Sequence, residues 1–178
     1  MSPPPVRWWE KPGLTPPAAF ISHASSDGPH ATAIVRELEA ANLRCWIAPR
    51  DIPAGEQWAG AIVGGIRRSR LLVVVFSARS CASPEVYREV ELASRVHKPM
   101  LTVRIDRNAA LTGPLEFFLS SIQWIDATSR PLRPQLHTLP TVVGKLLDVT
   151  VTPPPLPSIR RATHPDEVGP DLDTLLKW

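Results

Sequence analysis

The segment "RLLVVVFSARSCASPEVYREVELA", residues 70–93, holds an unbroken apolar run and, directly after it, a stretch with helical periodicity. A strand that is apolar at every position is covered on both faces, as happens in a parallel sheet sandwiched between helices. Ser83 followed by Pro84 starts the helix: a side-chain cap, then a residue whose missing N–H costs nothing at the first helical position. At about 100° per residue, Val86, Val90, Leu92, Ala93 and Val96 form one apolar arc. Of the three glutamates, Glu91 projects to the solvated side. Glu85 lies near the edge of the arc in the first turn, where a carboxylate favours the helix dipole. Glu89 falls inside the arc, on the face that meets the sheet.

Working outward, "AAFISHA" (18–24), "LRCWIA" (43–48), "MLTVRID" (100–106) and "IQWIDA" (122–127) read as further strands. Ile34, Val35, Leu38 and Ala41 stripe one helix; Trp58, Ile62, Val63 and Ile66 stripe a second, in which Gly60, Gly64 and Gly65 allow close approach to the sheet. "PRDIPAGE" (49–56) is a loop, with two prolines and Gly55 as a turn residue. The segment around "PLEFFL" (114–119) is poorly marked, and a last helix spans about 132–147 despite Pro134 and Pro140. Strands alternating with helices across short connections predict an α/β fold with five parallel strands and helices on both faces.

Of 21 prolines in 178 residues, six fall in residues 3–17 and six in 153–170. Each removes a backbone donor, so the chain divides into an irregular arm (1–17), a domain (18–148) and a proline-rich tail (149–178) in which "DLDTLLKW" has the pattern of a short docking helix. No apolar run is long enough for a membrane span and the first residues carry no signal-like apolar region, so no membrane partner and a cytoplasmic setting are expected. Cys45 and Cys81 lack metal-ligand spacing and read as two buried thiols; no metal is expected. The net charge of +3 is scattered, and its densest cluster, "IRRSR" (66–70), ends a helix where cations favour the dipole, so no nucleic acid is expected.

A carboxylate on a buried face must be paired, neutralised, or set at a cleft where a ligand completes its contacts. For Glu89 two readings stay open: an ion pair with one of the arginines, or a ligand site. In an open parallel sheet, ligands bind outside the carboxyl ends of the strands. The loops "SHASSD", "APRDIPAGE" and "SARSCAS" leave such ends, and Glu89 sits just beyond the last of them. A phosphoryl-accepting receiver domain is set aside, because it needs an acidic pair after the first strand and an aspartate after the third, where Ser77 stands.

In this order the chain resembles a Toll/interleukin-1 receptor (TIR) domain of the bacterial type. The stretches "AFISHASSD", "CWIAPRDIPAGEQWAGAI", "SRLLVVVFSARS" and "SPEVYREVELA" carry the resemblance, which covers about residues 18–147. It implies a flavodoxin-like fold and one of two functions. Some members only self-associate as adaptors; others cleave NAD+ between ribose and nicotinamide, with a required glutamate that maps onto Glu89. NAD+ is then the substrate, no further cofactor is needed, and the products are nicotinamide with ADP-ribose or a cyclised ADP-ribose. By the same resemblance Ser22 and His23 lie near the ligand, whereas read alone Ser22 is a cap and His23 an ordinary rim histidine. Trp46 is either a stacking surface or core. Asp51 either touches ligand, caps the next helix or pairs with Arg50. The loop from Pro49 to Glu56 is expected to reach a neighbouring copy, making the protein a homo-oligomer of antiviral defence whose site is completed on assembly. One departure stands out: where many of the family's enzymes have a tryptophan four residues before the glutamate, this chain has Glu85.

Overall fold

The computed structural model describes residues 15–129 and 132–152. Residues 1–14 of the proline-rich arm and the "DLDTLLKW" segment lie outside the described residues. Five strands, β1 (Ala19–Ser22), β2 (Cys45–Trp46), β3 (Leu71–Phe76), β4 (Met100–Arg104) and β5 (Trp124–Asp126), form one sheet in the order β2-β1-β3-β4-β5. Every neighbouring pair is parallel. The helices are α1 (Gly28–Ala40), α2 (Trp58–Arg68), α3 (Ala78–Cys81), α4 (Pro84–Arg95), α5 (Pro114–Leu119), α6 (Leu132–Leu136) and α7 (Leu139–Leu147).

All six residues of β3 are buried. Because side chains alternate across a strand, Leu71, Val73 and Val75 join one apolar layer with Ile34 and Leu38 of α1 and Leu139 and Val143 of α7. Leu72, Val74 and Phe76 join the other, with Ile66 of α2, Val86 and Val90 of α4 and Leu115 of α5. The expected two-faced parallel sheet is therefore present. At Gly65 a Cβ would stand 2.7 Å from the Trp46 ring, so this glycine is what lets α2 lie against β2. Gly60 has no such neighbour and owes its place to nothing packed there.

Four local expectations differ. The strand expected over 43–48 shortens to two residues because the Ile47 N–H donates to Asp51 Oδ2 (2.9 Å) instead of extending the ladder. The "SARSCAS" loop contains α3, a single turn closed by a capping box between Ser77 and Ser80. "PLEFFL" is a helix with Pro114 in its first turn. The last helix is two, since Pro140 lacks an N–H to donate and is accommodated in the first turn of α7. Cys81 ends α3 half-buried, so only Cys45 is a buried thiol. No helix among the described residues is long and apolar enough to cross a membrane.

Candidate functional site

The strand order places the carboxyl ends of β1 and β3 side by side while their following loops diverge. This opens a crevice at that edge of the sheet. Two links, one of them buried, hold its rim. Asp27, 0 % exposed, accepts from Ser77 Oγ (2.6 Å) and pairs with Arg79 Nη1 (2.9 Å), joining the loop after β1 to the loop after β3. Ser77 in turn caps α3, accepting from the Arg79 and Ser80 amides at 3.1 Å.

Ser83 Oγ accepts from the Val86 N–H (3.3 Å) and starts α4 as its sequence position requires. One turn on, Glu89 is partly buried and faces the crevice. Ser22 Oγ donates to Glu89 Oε2 at 2.6 Å. Among the described residues no cation pairs with Glu89: Arg88 reaches Glu85 (3.8 Å) and Arg95 reaches Glu91 (2.9 Å). The ion-pair reading of Glu89 thus finds no arginine. Burial pushes the Glu89 carboxyl up to about 7; the Ser22 hydrogen bond pulls it down and the Glu85 charge adds to the rise. The group is therefore divided between acid and carboxylate near neutral pH.

The crevice holds two chambers. The larger, of about 370 Å³, is lined by His23, Ser25, Gly28, Thr32, Arg50 and apolar residues between them. The smaller, about 190 Å³, lies between α2 and α4, against Ala59, Val63, Ile66, Arg88 and Leu92. Trp58, Ile62, Glu85 and Glu89 line both.

The predicted site residues separate into distinct roles. His23 lines the larger chamber, with Nδ1 3.4 Å from the Ile21 carbonyl; burial pulls the imidazole pKa below its ordinary value, against the Ile21 hydrogen bond and the Asp27 charge. Ser22 is fully buried and lines neither chamber; its hydroxyl is spent on Glu89. Trp46, 3 % exposed, is core: its ring stacks on Phe20 with centroids 4.7 Å apart. It offers no free face to a ligand.

Asp51 lines neither chamber. Its Oδ2 accepts from the Ile47 amide and from Arg50 Nε, both at 2.9 Å. Arg50 also grips both oxygens of Glu39 (2.9 and 3.1 Å) and the Cys45 carbonyl (2.8 Å). Asp51 is therefore a tie that shapes the loop, with Gly55 at φ 80° completing its turn. Two residues escaped the sequence reading. Asp27 carried no signal beyond its place in a turn. Trp58 was counted in an apolar helix stripe, yet it is 57 % exposed at the crevice. Its position directly after the loop at a strand's carboxyl end was the clue. Among the described residues no cluster of three His, Cys, Asp or Glu could hold a metal ion.

Among solved structures, the TIR domain of the Toll-related receptor TRR-2 from Hydra magnipapillata is similar at a TM-score of 0.57 and 19 % identity. The match covers 71 % of this chain and 97 % of that one. The TIR domains of the activated Roq1 resistosome, which directly recognises the pathogen effector XopQ, match at a TM-score of 0.46 and 15 % identity over 74 % of this chain and 84 % of theirs. No curated protein matches in sequence. A sequence model of the TIR domain matches residues 19–139, more than half of the chain and all of the sheet and crevice described above. The chain belongs to the TIR domain family.

Proposed function

We propose that the chain is an NAD+ nucleosidase, releasing nicotinamide and ADP-ribose or a cyclised ADP-ribose, and that it acts in immune signalling on self-assembly. The observation that carries this reading is Glu89: a carboxyl with no cationic partner among the described residues, hydrogen-bonded by Ser22, on the wall common to two chambers. The C1′–N bond to nicotinamide breaks with its electron pair going to the ring nitrogen, so no acid need protonate the leaving group. Positive charge develops on the ribose instead. A fixed carboxylate beside that ring lowers the barrier electrostatically. A water oxygen then bonds to C1′ and sheds its proton; in cyclisation a nucleophile on the same nucleotide takes the water's place.

Other features support a dinucleotide. The larger chamber falls within the range of about 300–1,000 Å³ typical of small-molecule sites. It opens on the first turn of α1, where Gly28 has no side chain and space for a Cβ to meet nothing within 4 Å. The Gly28 N–H is given to the Ser25 carbonyl and Pro29 has none, so this turn contributes open space and not amide donors. The Arg50 charge is already balanced by Glu39 and Asp51, so it shapes this wall without offering a free cation.

A second reading, a non-catalytic module that works by TIR–TIR association, is favoured by Glu85 standing where a tryptophan is usual. Incubation with NAD+ at high protein concentration, with nicotinamide release followed, separates the two. Glu89→Gln should lower turnover by about two orders of magnitude or more. Glu91→Gln, paired with Arg95 outside both chambers, is the control and should stay close to wild type. Retention of more than about a tenth of wild-type turnover in Glu89→Gln defeats the assignment.

A further inference from the structure

Trp58 exposes 57 % of its surface at the first position of α2, an unusual setting for so large an apolar side chain. It stands on the wall common to both chambers, together with Glu85 and Glu89. The smaller chamber is otherwise walled by Ala59, Ile62, Val63, Ile66, Leu92 and the Arg88 side chain, and its volume of about 190 Å³ lies below that of sites for whole drug-sized ligands. It has room for one ring, not for a dinucleotide. The lining thus brings one indole and two carboxyl groups together against a single guanidinium, that of Arg88, which lies 3.8 Å from Glu85.

That combination selects a flat aromatic cation. An indole face attracts positive charge placed above it, the two carboxyl groups outnumber the one guanidinium, and the apolar side chains take the ring edge. Resting on the NAD+ reading above, we propose that the chamber between α2 and α4 seats the nicotinamidium ring of the substrate against Trp58, while the rest of the dinucleotide occupies the larger chamber. Trp58 thereby supplies from α2 the aromatic surface that Glu85 leaves unfilled on α4. Glu89, common to both chambers, then lies where the ring joins the ribose. Once the C1′–N bond breaks and its electron pair returns to the ring nitrogen, nicotinamide is neutral. The attraction to Trp58 and Glu85 falls with the charge, which favours release.

The test uses 1-methylnicotinamide, which keeps the cationic ring and carries a methyl group in place of ribose. Its dissociation constant is measured by NMR titration with wild type, Trp58→Ala, Trp58→Phe, Ala59→Trp and Thr32→Trp. Ala59 lines only the smaller chamber and Thr32 only the larger; both are exposed helix positions, as is Trp58, and melting curves confirm that each variant folds. Trp58→Ala and Ala59→Trp should weaken the probe by about tenfold or more, while Trp58→Phe and Thr32→Trp should stay within about threefold of wild type. A Trp58→Ala change of less than about twofold would overturn the proposal, as would a loss in Thr32→Trp equal to that in Ala59→Trp. Because the probe cannot be cleaved, the expected pattern upholds the subsite even in a chain that releases no nicotinamide from NAD+. That separate outcome would overturn the proposed function instead.

Discussion

The Ser22 hydroxyl donates to Glu89 Oε2 at 2.6 Å, joining the end of β1 to the second turn of α4 across 67 positions of sequence. It fixes the carboxyl's orientation and holds back the rise in its pKa. Ser22 is therefore a positioning residue, and its effect should appear in how activity depends on pH.

On the proposed function, the carboxylate form of Glu89 is the one that would stabilise a cationic ribose. With its pKa at about 7, kcat/KM for nicotinamide release should fall as pH drops below about 7 and level off above it. Removing the Ser22 donor in Ser22→Ala should move that midpoint up. Removing the neighbouring charge in Glu85→Gln should move it down. A flat profile from about pH 5 to 9 would exclude Glu89 as the titrating group.

The same shift makes a prediction about stability. The folded-state pKa of Glu89, about 7, lies above its ordinary value of 4.5, so the folded chain holds this proton more tightly than the unfolded one. Its contribution to stability is present at low pH and is lost as pH rises through the folded-state pKa. Gln at this position has no proton to lose. Glu89→Gln should therefore gain in melting temperature relative to wild type between about pH 5 and pH 8, and an unchanged difference would contradict the shift.

Asp27 is fully buried with Ser77 and Arg79 on its two oxygens. Asp27→Asn sets an amide N–H₂ against one of these donors and should cost about 1–3 kcal/mol in urea unfolding. Arg79 has a side chain 64 % exposed, so Arg79→Ala should cost less than about 1 kcal/mol. Equal losses would mean that the ion pair, and not the buried Ser77 contact, holds the two loops together.

The tied loop of residues 49–56 presents Ala54, Gly55 and Glu56 to solvent, while Ile52 packs partly against the core. If this tip meets a neighbouring copy, specific activity should rise with protein concentration. Ala54→Arg should remove that rise and the larger species seen in light scattering, at an unchanged melting temperature. Asp51→Ala should instead release the Ile47 amide and Arg50 and lower the melting temperature as well. Wild-type specific activity that is independent of concentration would mean that the site is complete within one chain.

Much of this molecule was legible in the order of its residues. The all-apolar run at β3, the striped helices and the cap at Ser83 are local patterns: their periods follow from backbone geometry alone, whatever lies far along the chain. The same geometry turned Glu89 toward the sheet. What the periods could not say is which groups meet across the fold. The partner of Glu89 comes from β1, and the partners of Asp27 from the loop after β3 and from α3. Trp46 and Trp58 are both apolar residues beside the same loop, yet one is sealed against Phe20 and Gly65 and the other stands open at a crevice. That difference is set by how closely α2 approaches β2 and by the gap left between α2 and α4. Asp51 likewise reads as a candidate ligand group until the chain closes and the Ile47 amide, needing a partner, takes its carboxylate. Local periodicity determined the sheet and the face of Glu89; packing between distant segments decided which polar groups were consumed as structure and which were left facing the cleft.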